Sequence, residues 1–458
     1  MVQDTKSYQE ALDWIHGLGR FGIKPGLQRI TVLLEMLGNP HLKIPFVHIG
    51  GTNGKGSTAA ILASILRSEG YRIGLYTSPY LLSFTNRMAV NGSDISPGEL
   101  ALLVDEVRPL VERISENPEL GHPTEFEVVT VLALTYFARS QVDLVVLEVG
   151  LGGRLDATNI VTPLLSIITN VSLEHTDVLG HTVEEIALEK AGIIKEKIPV
   201  FTATSDDRVY SVIKSRAEEL NSSVFFLSLP NKKGITPDNR PTFSEVKVLK
   251  KGQSFTYHGF SNIFMELFIP LRGYYQVINA STALAALELI ADQGFEVTED
   301  SIRRGLKTVC WPGRLELLNE KPKLVMDGAH NPEAIRQLVK AVPDYFQYRH
   351  LILVFGVMAD KDMHEMLVNL LPLSHKIVFT RPIIPRAAEP HVPAHTAVHE
   401  LGFEREIFII NDLGDSLKKA LQLAGEDDLI LVTGSFYTVS DARAYWFENR
   451  MTEKFKMC

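Results

Sequence analysis

A glycine-rich turn at residues 50–58 combines the residue types that bind phosphate. Its sequence is GGTNGKGST, and it lies between an apolar run at 44–49 and a stretch with helical spacing of apolar residues at 57–67. Backbone N–H groups of such a turn and the positive end of the following helix attract an anion. Lysine has the reach for the terminal phosphates of a nucleotide, and a hydroxyl is a suitable ligand for Mg²⁺. We therefore predict a nucleotide-binding loop formed by Asn53, Gly54, Lys55, Gly56, Ser57 and Thr58.

The spacing of this turn departs from the usual phosphate-loop pattern, in which four residues separate two glycines and a hydroxyl residue directly follows the lysine. Here three residues lie between Gly50 and Gly54, and Gly56 separates Lys55 from Ser57. A glycine-rich connection without special function is the alternative. A lysine and a hydroxyl between a strand and a helix are what phosphate requires, so the pattern favours phosphate binding.

Two further strand ends carry candidate metal ligands. Glu148 ends the apolar run 143–147, and His175 follows the apolar run 164–169. Parallel strands deliver such residues to one edge of a sheet, where Ser57 is also expected. A carboxylate that ends an apolar strand needs a partner for its charge, and Mg²⁺ prefers oxygen ligands. Histidine is an unusual ligand for so hard an ion, and taken alone His175 is better explained as a hydrogen-bonding loop residue.

Alternating strand and helix patterns on both sides of a linker predict two α/β domains. The first is a P-loop-type ATPase domain with a mainly parallel sheet at 1–308, and the second is a smaller, Rossmann-like α/β domain at 309–458. A turn-rich, alternating stretch at 222–276 predicts a small β excursion within the first domain. Helices are predicted at 8–18, 28–37, 57–67, 96–114, 126–139, 183–193 and 279–290, and strands at 44–49, 73–76, 143–148, 164–169, 324–326, 351–355, 376–379 and 429–432.

The composition is that of an ordinary globular protein in water. The chain has 458 residues, 45% of them hydrophobic, and a net charge of −9 without a basic patch, which argues against a nucleic-acid partner. Cys310 and Cys458 give neither a disulfide framework nor a CxxC metal pair. The sequence shows no signal-peptide pattern and no apolar stretch of transmembrane length. We predict a cytoplasmic protein without a membrane partner, and the absence of heptads makes a monomer the default.

Three charged residues are ambiguous from their pattern alone. Lys190 lies on the predicted helix 183–193, and the pattern there indicates a plain surface cation. Asp327 and His330 follow the strand 324–326 in the sequence DGAHNP. Both are as well explained as turn-forming residues as by any chemical role.

Three motifs together resemble the folylpolyglutamate synthase/dihydrofolate synthase family of the Mur ligase superfamily. They are GTNGKGS at 51–57, LEVGLGGRLDAT at 147–158 and DGAHNP at 327–332. The resemblance runs from about residue 8 to 443. The second motif is typical of the folate branch, whereas the phosphate loop is shared with the cell-wall branch.

This resemblance implies an ATP-dependent, Mg²⁺-assisted ligase. ATP phosphorylates a carboxylate of dihydropteroate or of a (tetrahydro)folate, and L-glutamate then displaces phosphate to form an amide. The physical requirements of this reaction agree with the residues found, because the substrate carboxylate and the phosphates of ATP are both anions and need cations to neutralise them as they approach each other. The 155–157 loop resembles that of bifunctional members, which favours both activities. Tyr80 and Tyr275 stand where histidine is common in the family, and we expect them to tune the substrate pocket.

The resemblance also implies roles for individual residues. Ser78 joins the metal set, which becomes Ser57, Ser78, Glu148 and His175. Lys190 matches a lysine that is carbamylated in the family and then binds a second metal ion, and its loss is expected to abolish activity. Asn279, Arg314 and Asp327 match nucleotide contacts, the last two reaching across from the second domain. His330, as a catalytic residue, and Ser435 match positions near the incoming glutamate, and the pterin side would lie at Thr124, Glu125, Phe126, Leu155, Asp156 and Ala157.

Two other classes of protein remain as alternatives. A cell-wall Mur ligase would share the loop and the acyl-phosphate chemistry, but it needs a domain for a uridine nucleotide ahead of the phosphate loop, and Gly50 comes too early for one. A protein that hydrolyses or senses ATP would not need Arg314 and Asp327 reaching over from a second domain. Glutamate-dependent phosphate release separates the three.

Overall fold

The computed structural model describes residues 2–22, 24–230 and 240–449, with the side chains of 2–5 left aside. Predictions that involve residue 23, the part of the β excursion at 231–239, and Cys458 lie outside the described residues. Within those described, no helix combines the length and the apolar character needed to cross a bilayer.

An eight-stranded sheet forms the centre of the N-terminal domain. Its order is β4-β3-β2-β5-β1-β6-β7-β8, and the pairs from β2 to β8 are parallel, while β3 and β4 extend it antiparallel. The strands are β1 (Phe46–Gly50), β2 (Ile73–Tyr76), β3 (Met88–Val90), β4 (Ser93–Asp94), β5 (Leu144–Glu148), β6 (Leu165–Ile168), β7 (Val200–Thr202) and β8 (Val224–Phe226). The mainly parallel sheet is confirmed, but β8 is an edge strand of this sheet and not part of the predicted excursion.

The helices of this domain cover both faces of the sheet, so its central strands are fully buried and nearly all apolar. Ser96 and Thr124 cap two of the helices with their side chains, the first as its Ser-Pro sequence predicts. The helices are α1 (Val2–Gly17), α2 (Gln28–Met36), α3 (Lys55–Glu69), α4 (Pro97–Ser115), α5 (Glu125–Arg139), α6 (Thr176–Leu179), α7 (Val183–Ala191), α8 (Asp207–Glu219), α9 (Tyr274–Ile290) and α10 (Glu299–Thr308).

The β excursion is a three-stranded antiparallel sheet of order β11-β10-β9. Its strands are β9 (Thr242–Leu249), β10 (Gly252–His258) and β11 (Ile263–Ile269). Its inner side packs on α9, which continues the apolar core that α3 shares with the large sheet. The excursion thereby supports the start of α9, where Asn279 lies.

The C-terminal domain has a six-stranded sheet of order β12-β13-β17-β14-β15-β16, parallel except for β12. The strands are β12 (Glu316–Glu320), β13 (Lys323–Met326), β14 (Leu351–Phe355), β15 (Lys376–Phe379), β16 (Ile407–Ile409) and β17 (Leu429–Thr433), and the helices are α11 (Pro332–Tyr345), α12 (Met363–Leu370), α13 (His391–His395), α14 (Leu413–Leu423) and α15 (Phe436–Asn449). The α/β fold of this domain is as predicted, whereas the two edge strands β12 and β16 were not predicted.

Candidate active site

The phosphate loop joins β1 to α3 and requires glycine at two positions. Gly54 precedes the helix with φ of 86°, a left-handed conformation that favours glycine, and a Cβ there would lie 2.5 Å from Asn279 Oδ1. A Cβ at Gly56 would lie 2.7 Å from the ring of Trp311. The loop is thus enclosed by α9 on one side and by the start of the C-terminal domain on the other.

Hydrogen bonds hold this loop in a defined shape. The Lys55 ammonium donates to the carbonyl oxygens of Gly51 and Thr52, each at 3.1 Å. The Asn53 N–H donates to Asn170 Oδ1 at 2.8 Å, and the Thr169 hydroxyl donates to the Asn53 carbonyl at 2.7 Å. The end of β6 therefore supports the loop through two residues that no sequence pattern singled out.

Glu148 lies buried beneath the loop with few partners for its charge. Its carboxylate accepts the Ser78 N–H at 3.1 Å, and the Gly56 backbone also contributes a hydrogen bond. Burial raises the pKa of Glu148 to about 7, against the opposing effect of Lys55, those backbone groups and Arg314. A buried carboxyl with so high a pKa favours a cation beside it.

The residues around Glu148 fit the chemistry of Mg²⁺. Ser57 is buried, and its hydroxyl receives one hydrogen bond, from Gln276 Nε2 at 3.3 Å. Hydroxyl and carboxylate oxygens are the donors that Mg²⁺ prefers. The structure thus brings Ser57, Ser78 and Glu148 together. Among the described residues no group of three or more His, Cys, Asp or Glu forms a metal cluster, so serine hydroxyls must complete such a site.

His175 lies on the loop after β6, in the left-handed conformation with φ of 52°, at the start of the short helix α6. Burial and the charge of Lys361 lower its pKa to about 4, although Glu174 opposes them. The imidazole is therefore neutral at pH 7 and keeps a lone pair for a metal ion. Its Nε2 is 4.0 Å from the Glu174 carboxylate.

Glu174 is a buried carboxylate that the sequence patterns did not reveal. It accepts hydrogen bonds from His330 Nε2 at 3.1 Å, Asn331 Nδ2 at 3.2 Å and Lys361 Nζ at 3.4 Å, all three from the C-terminal domain. Burial raises its pKa, but the hydrogen bond from His330 and the charges of His330, Lys361 and Lys55 outweigh burial and hold the pKa well below its usual range. In the sequence, its position next to His175 is the one signal that could have pointed to it.

Lys190 is buried on α7, so its interpretation as a surface cation is wrong. Its ammonium donates to the Gly51 carbonyl at 3.0 Å, which places it against the phosphate loop. Burial lowers the pKa of Lys190 to about 7 and the charge of Lys55 adds to this, while Glu174 and Asp156 act in the opposite direction. A large fraction of the amine is therefore neutral near pH 7.

Asp327 and His330 follow β13 and face the cleft from the C-terminal domain. Both carboxylate oxygens of Asp327 accept backbone N–H groups, from Leu315 at 2.8 Å and Ala329 at 2.9 Å. The His330 ring contacts the Gly328 carbonyl through Nδ1 at 2.9 Å and Glu174 through Nε2. Both ring nitrogens of His330 therefore face acceptor oxygens, one within its own loop and one across the cleft.

Arg314 completes the charged lining on this side of the cleft. Its guanidinium lies 5.1 Å from the centre of the Phe436 ring, and its charge acts on both Glu148 and Asp327. Burial raises the pKa of Asp327 in spite of Arg314. Asn331 exchanges amide hydrogen bonds with Asn53 at 3.1 and 3.4 Å, which joins the phosphate loop directly to the C-terminal domain.

Several residues predicted on the substrate side have structural partners of their own. Thr124 caps α5 and bonds to Glu127, Ser435 bonds to the Thr438 N–H at 3.0 Å, and the Asp156 carboxylate accepts N–H groups from Leu151 and Thr158. Burial raises the pKa of Asp156. These residues shape loops around the cleft.

The other predicted substrate-side residues differ in exposure. The Phe126 ring packs over Gly150, where a Cβ would clash with it, and Ala157 is buried. Leu155 is exposed, and Glu125 is partly exposed with its carboxylate 3.8 Å from His16 Nδ1. Leu155 and Glu125 are thus the more accessible of these residues, and Thr124, Asp156 and Ala157 are buried.

Comparison with known proteins identifies the two halves of the chain separately. The family model of the Mur ligase middle domain matches residues 49–287, and that of the Mur ligase glutamate ligase domain matches residues 313–436. A Bacillus subtilis (strain 168) protein described as dihydrofolate synthase/folylpolyglutamate synthase is 38% identical over 441 residues, which cover 95% of this chain and 98% of that protein.

Solved structures give the same result. Folylpolyglutamate synthase of Mycobacterium tuberculosis, complexed with ADP and AMPPCP, is 30% identical with a TM-score of 0.88, covering 96% of this chain and 98% of that one. E. coli FolC in complex with DHPP and ADP is 30% identical with a TM-score of 0.83 and the same coverage. The chain belongs to the dihydrofolate synthase/folylpolyglutamate synthase family, whose members are ATP-dependent Mur ligases.

Proposed function

We propose that this ligase adds L-glutamate both to dihydropteroate and to (tetrahydro)folate. The observation that carries the proposal is the set of titratable and charged side chains at the phosphate loop, with buried Glu148 and Lys190 beside Lys55 on one side of the cleft and partly exposed Arg314 and His330 on the other. The relatives whose structures are described as complexes with ADP and AMPPCP, and with DHPP and ADP, support binding of a nucleotide and of a second small molecule by this chain.

In this proposal the phosphate loop, 53–58, binds the phosphates of ATP, with Lys55 neutralising the terminal ones. Asn279, Arg314 and Asp327 contact the nucleotide. Ser57, Ser78, Glu148 and His175 would hold Mg²⁺, which when bound neutralises charge between the two reacting anions. The high pKa of Glu148 supports this role, because a cation at its side would compensate the charge that burial disfavours.

The reaction proceeds in two balanced steps. A carboxylate oxygen of the pterin substrate attacks the γ-phosphorus, the bond to ADP breaks, and an acyl phosphate forms. The glutamate amine then attacks the acyl carbon, phosphate leaves with the bonding electron pair, and the nitrogen loses a proton. His330 and Ser435 lie on the C-terminal side of the cleft, from which glutamate is expected to enter, and would position it by hydrogen bonding.

Lys190 is proposed to be carbamylated. Its neutral amine attacks CO₂, the N–C bond forms, and a proton passes to solvent, which converts a cation into an anion able to bind a second metal ion. Support comes from the pKa of about 7, which leaves the amine nucleophilic near neutral pH. The ammonium is also costly where it is, since burial is the main cause of that low pKa.

The pterin side of the cleft is proposed to be formed by 124–126 and 155–157. Thr124 and Asp156 would act by fixing the shape of their loops, and Leu155 and Glu125 by direct contact, since these two are the accessible ones. We also propose that the domains meet at 308/309, directly after α10. The monomeric state and the cytoplasmic location stay predictions of the sequence.

Phosphate release from ATP tests this proposal. Purified protein receives Mg²⁺, bicarbonate and glutamate, with dihydropteroate in one reaction and tetrahydrofolate in another. The expected result is glutamate-dependent release in both. Release in one reaction only assigns a single activity and contradicts bifunctionality.

Two variants serve as controls. Lys55→Met is expected to lower both rates at least about 100-fold, because a phosphate-neutralising charge is lost. Glu218→Gln, a change of an exposed carboxylate on α8, is expected to keep the wild-type rates. If neither pterin stimulates release above ATP alone, the substrate assignment is wrong.

A further inference from the structure

Glu174 joins the two domains at the point where their predicted functional residues meet. It comes from the loop after β6, directly before His175, and its three side-chain partners His330, Asn331 and Lys361 all come from the C-terminal domain. Only 9% of its side chain is exposed, and 10% of the Lys361 side chain. A carboxylate and an ammonium so deeply withdrawn from water are stable only as partners.

The partners of Glu174 come from two different loops of the C-terminal domain. His330 and Asn331 follow β13 and begin α11, while Lys361 lies between β14 and α12. These two strands do not pair with each other, since β17 lies between them. One carboxylate therefore draws two separate loop ends to the N-terminal domain.

We propose that Glu174 is a positioning residue that holds the cleft closed and sets His175 and His330 at a fixed distance from each other. It is covalently next to the first and hydrogen-bonded to the second, so a movement of either domain must break these contacts or move both histidines together. The roles of the two histidines rest on the proposed function, whereas the closure itself does not.

The geometry predicts which contacts are lost when the Glu174 charge is removed. Without the Glu174 charge, the His330 ring and the Lys361 ammonium lose the carboxylate that both contact, and Lys361, with 10% of its side chain exposed, is left as an uncompensated cation. The Asn53–Asn331 pair then remains as a link between the phosphate loop and this part of the C-terminal domain. The two halves of the cleft are expected to separate, while the interior of each domain is unaffected.

Amide hydrogen exchange on the full-length protein without ligands tests closure. Glu174→Gln is expected to speed exchange in peptides covering 170–180, 328–334 and 356–363, with no change in peptides of the buried strands β5, β14 and β17. Glu174→Asp, which keeps the charge on a shorter side chain, is expected to show a smaller change. Glu218→Gln is the matched control and is expected to match the wild type.

Kinetics on the same variants test positioning. Glu174→Gln is expected to lower kcat about 30-fold to 100-fold with less than a threefold change in KM for ATP, because misplaced groups slow the chemical step. Lys361→Met is expected to have a similar effect, and the double variant to be no worse than the poorer single one, since the two residues act as a unit.

Four results would overturn this inference. In the exchange measurement, these are wild-type rates in Glu174→Gln or rates that rise uniformly through the N-terminal domain. In the kinetic measurement, they are a wild-type kcat in a Glu174→Gln protein whose exchange shows opening, or additive effects of Glu174→Gln and Lys361→Met. Because the exchange measurement uses no substrate, it stands even where the wild-type enzyme fails to turn over the pterins tested. A failure of the proposed function is thus distinguishable from a failure of closure.

Discussion

Two groups of buried, titratable side chains lie near the phosphate loop, and they differ in how completely their charge is compensated. Glu148 and Lys190, at the floor of the phosphate loop, both have a pKa of about 7, since burial is not balanced by their partners. For Glu174, on the loop after β6, burial also raises the pKa, but the hydrogen bond from His330 and the charges of His330, Lys361 and Lys55 outweigh it and hold the pKa well below its usual range.

This difference in charge compensation distinguishes residues that are expected to bind a ligand from residues that stabilise the domain interface. A buried charged group without sufficient partners is stabilised by a ligand of opposite charge or by a reaction that removes its charge. The proposed Mg²⁺ would do the first for Glu148, and the proposed reaction with CO₂ would do the second for Lys190. A fully bonded carboxylate such as Glu174 gains little from a ligand and loses much when a partner is removed. Chemistry is thus expected at the floor of the loop, and closure at the domain interface.

Replacing Lys190 by alanine is expected to have the largest effect. The variant loses the proposed carbamate and the second metal ion with it, so glutamate-dependent phosphate release should fall below detection, at least about 1,000-fold. The rate of phosphate release by the wild-type enzyme should also fall in CO₂-depleted buffer, and added bicarbonate should restore it. Wild-type turnover by Lys190→Ala would contradict the carbamate.

Replacing Glu148 by glutamine keeps the shape of the side chain and removes only its charge. We expect kcat to fall about 100-fold or more through loss of the charge that is proposed to hold the metal ion, with a melting temperature equal to or above that of the wild type. Glu218→Gln, on the exposed face of α8, controls for the loss of one negative charge. A lower melting temperature with unchanged kcat would make Glu148 a structural residue and remove the contrast with Glu174.

The smallest expected effects concern stability as a function of pH, and the two carboxylates should give opposite slopes. The folded state raises the pKa of Glu148, so it binds more protons than the unfolded chain, and stability is lost as pH rises from about 4.5 to about 7. The folded state lowers the pKa of Glu174, so its contribution is complete above about 4.5 and is lost as pH falls below that value.

Denaturant unfolding of the two glutamine variants between pH 3 and 8 measures these slopes. As pH rises towards 7, the free energy of unfolding of Glu148→Gln should increase relative to that of the wild type. As pH falls below about 4.5, the destabilisation of Glu174→Gln relative to the wild type should become smaller. If the stability of both variants relative to the wild type changed with pH in the same way, the environments of Glu148 and Glu174 would be alike.

Sequence patterns were sufficient for the fold and for the residues at strand ends. Apolar runs bounded by glycine located β1, β5 and β6, and parallel strands bring their carboxyl ends to one edge, so the patterns alone placed Ser57 and Glu148 near each other. The strands β3, β4, β7, β12 and β16 escaped prediction because they are short or lack a strong alternating pattern.

The domain interface could not be predicted in the same way. Glu174 and Lys361 are separated by 187 positions, and nothing local distinguishes them from other charged loop residues. Their contact depends on how the two domains pack together, and the periodicity of the sequence does not predict that packing. The interpretation of Lys190 as a surface cation, made from its pattern alone, was wrong for a related reason, because its burial comes from contact with the phosphate loop, 139 positions away in the sequence.

Transfer of a carboxylate oxygen from the pterin substrate to phosphate is the most direct test of the acyl-phosphate route. Dihydropteroate or tetrahydrofolate labelled with ¹⁸O in the reacting carboxylate is turned over with ATP, glutamate and Mg²⁺, and the released phosphate is analysed by mass spectrometry. We expect one ¹⁸O atom in each phosphate from either substrate. Unlabelled phosphate, with amide formed and ATP consumed, would contradict the acyl phosphate.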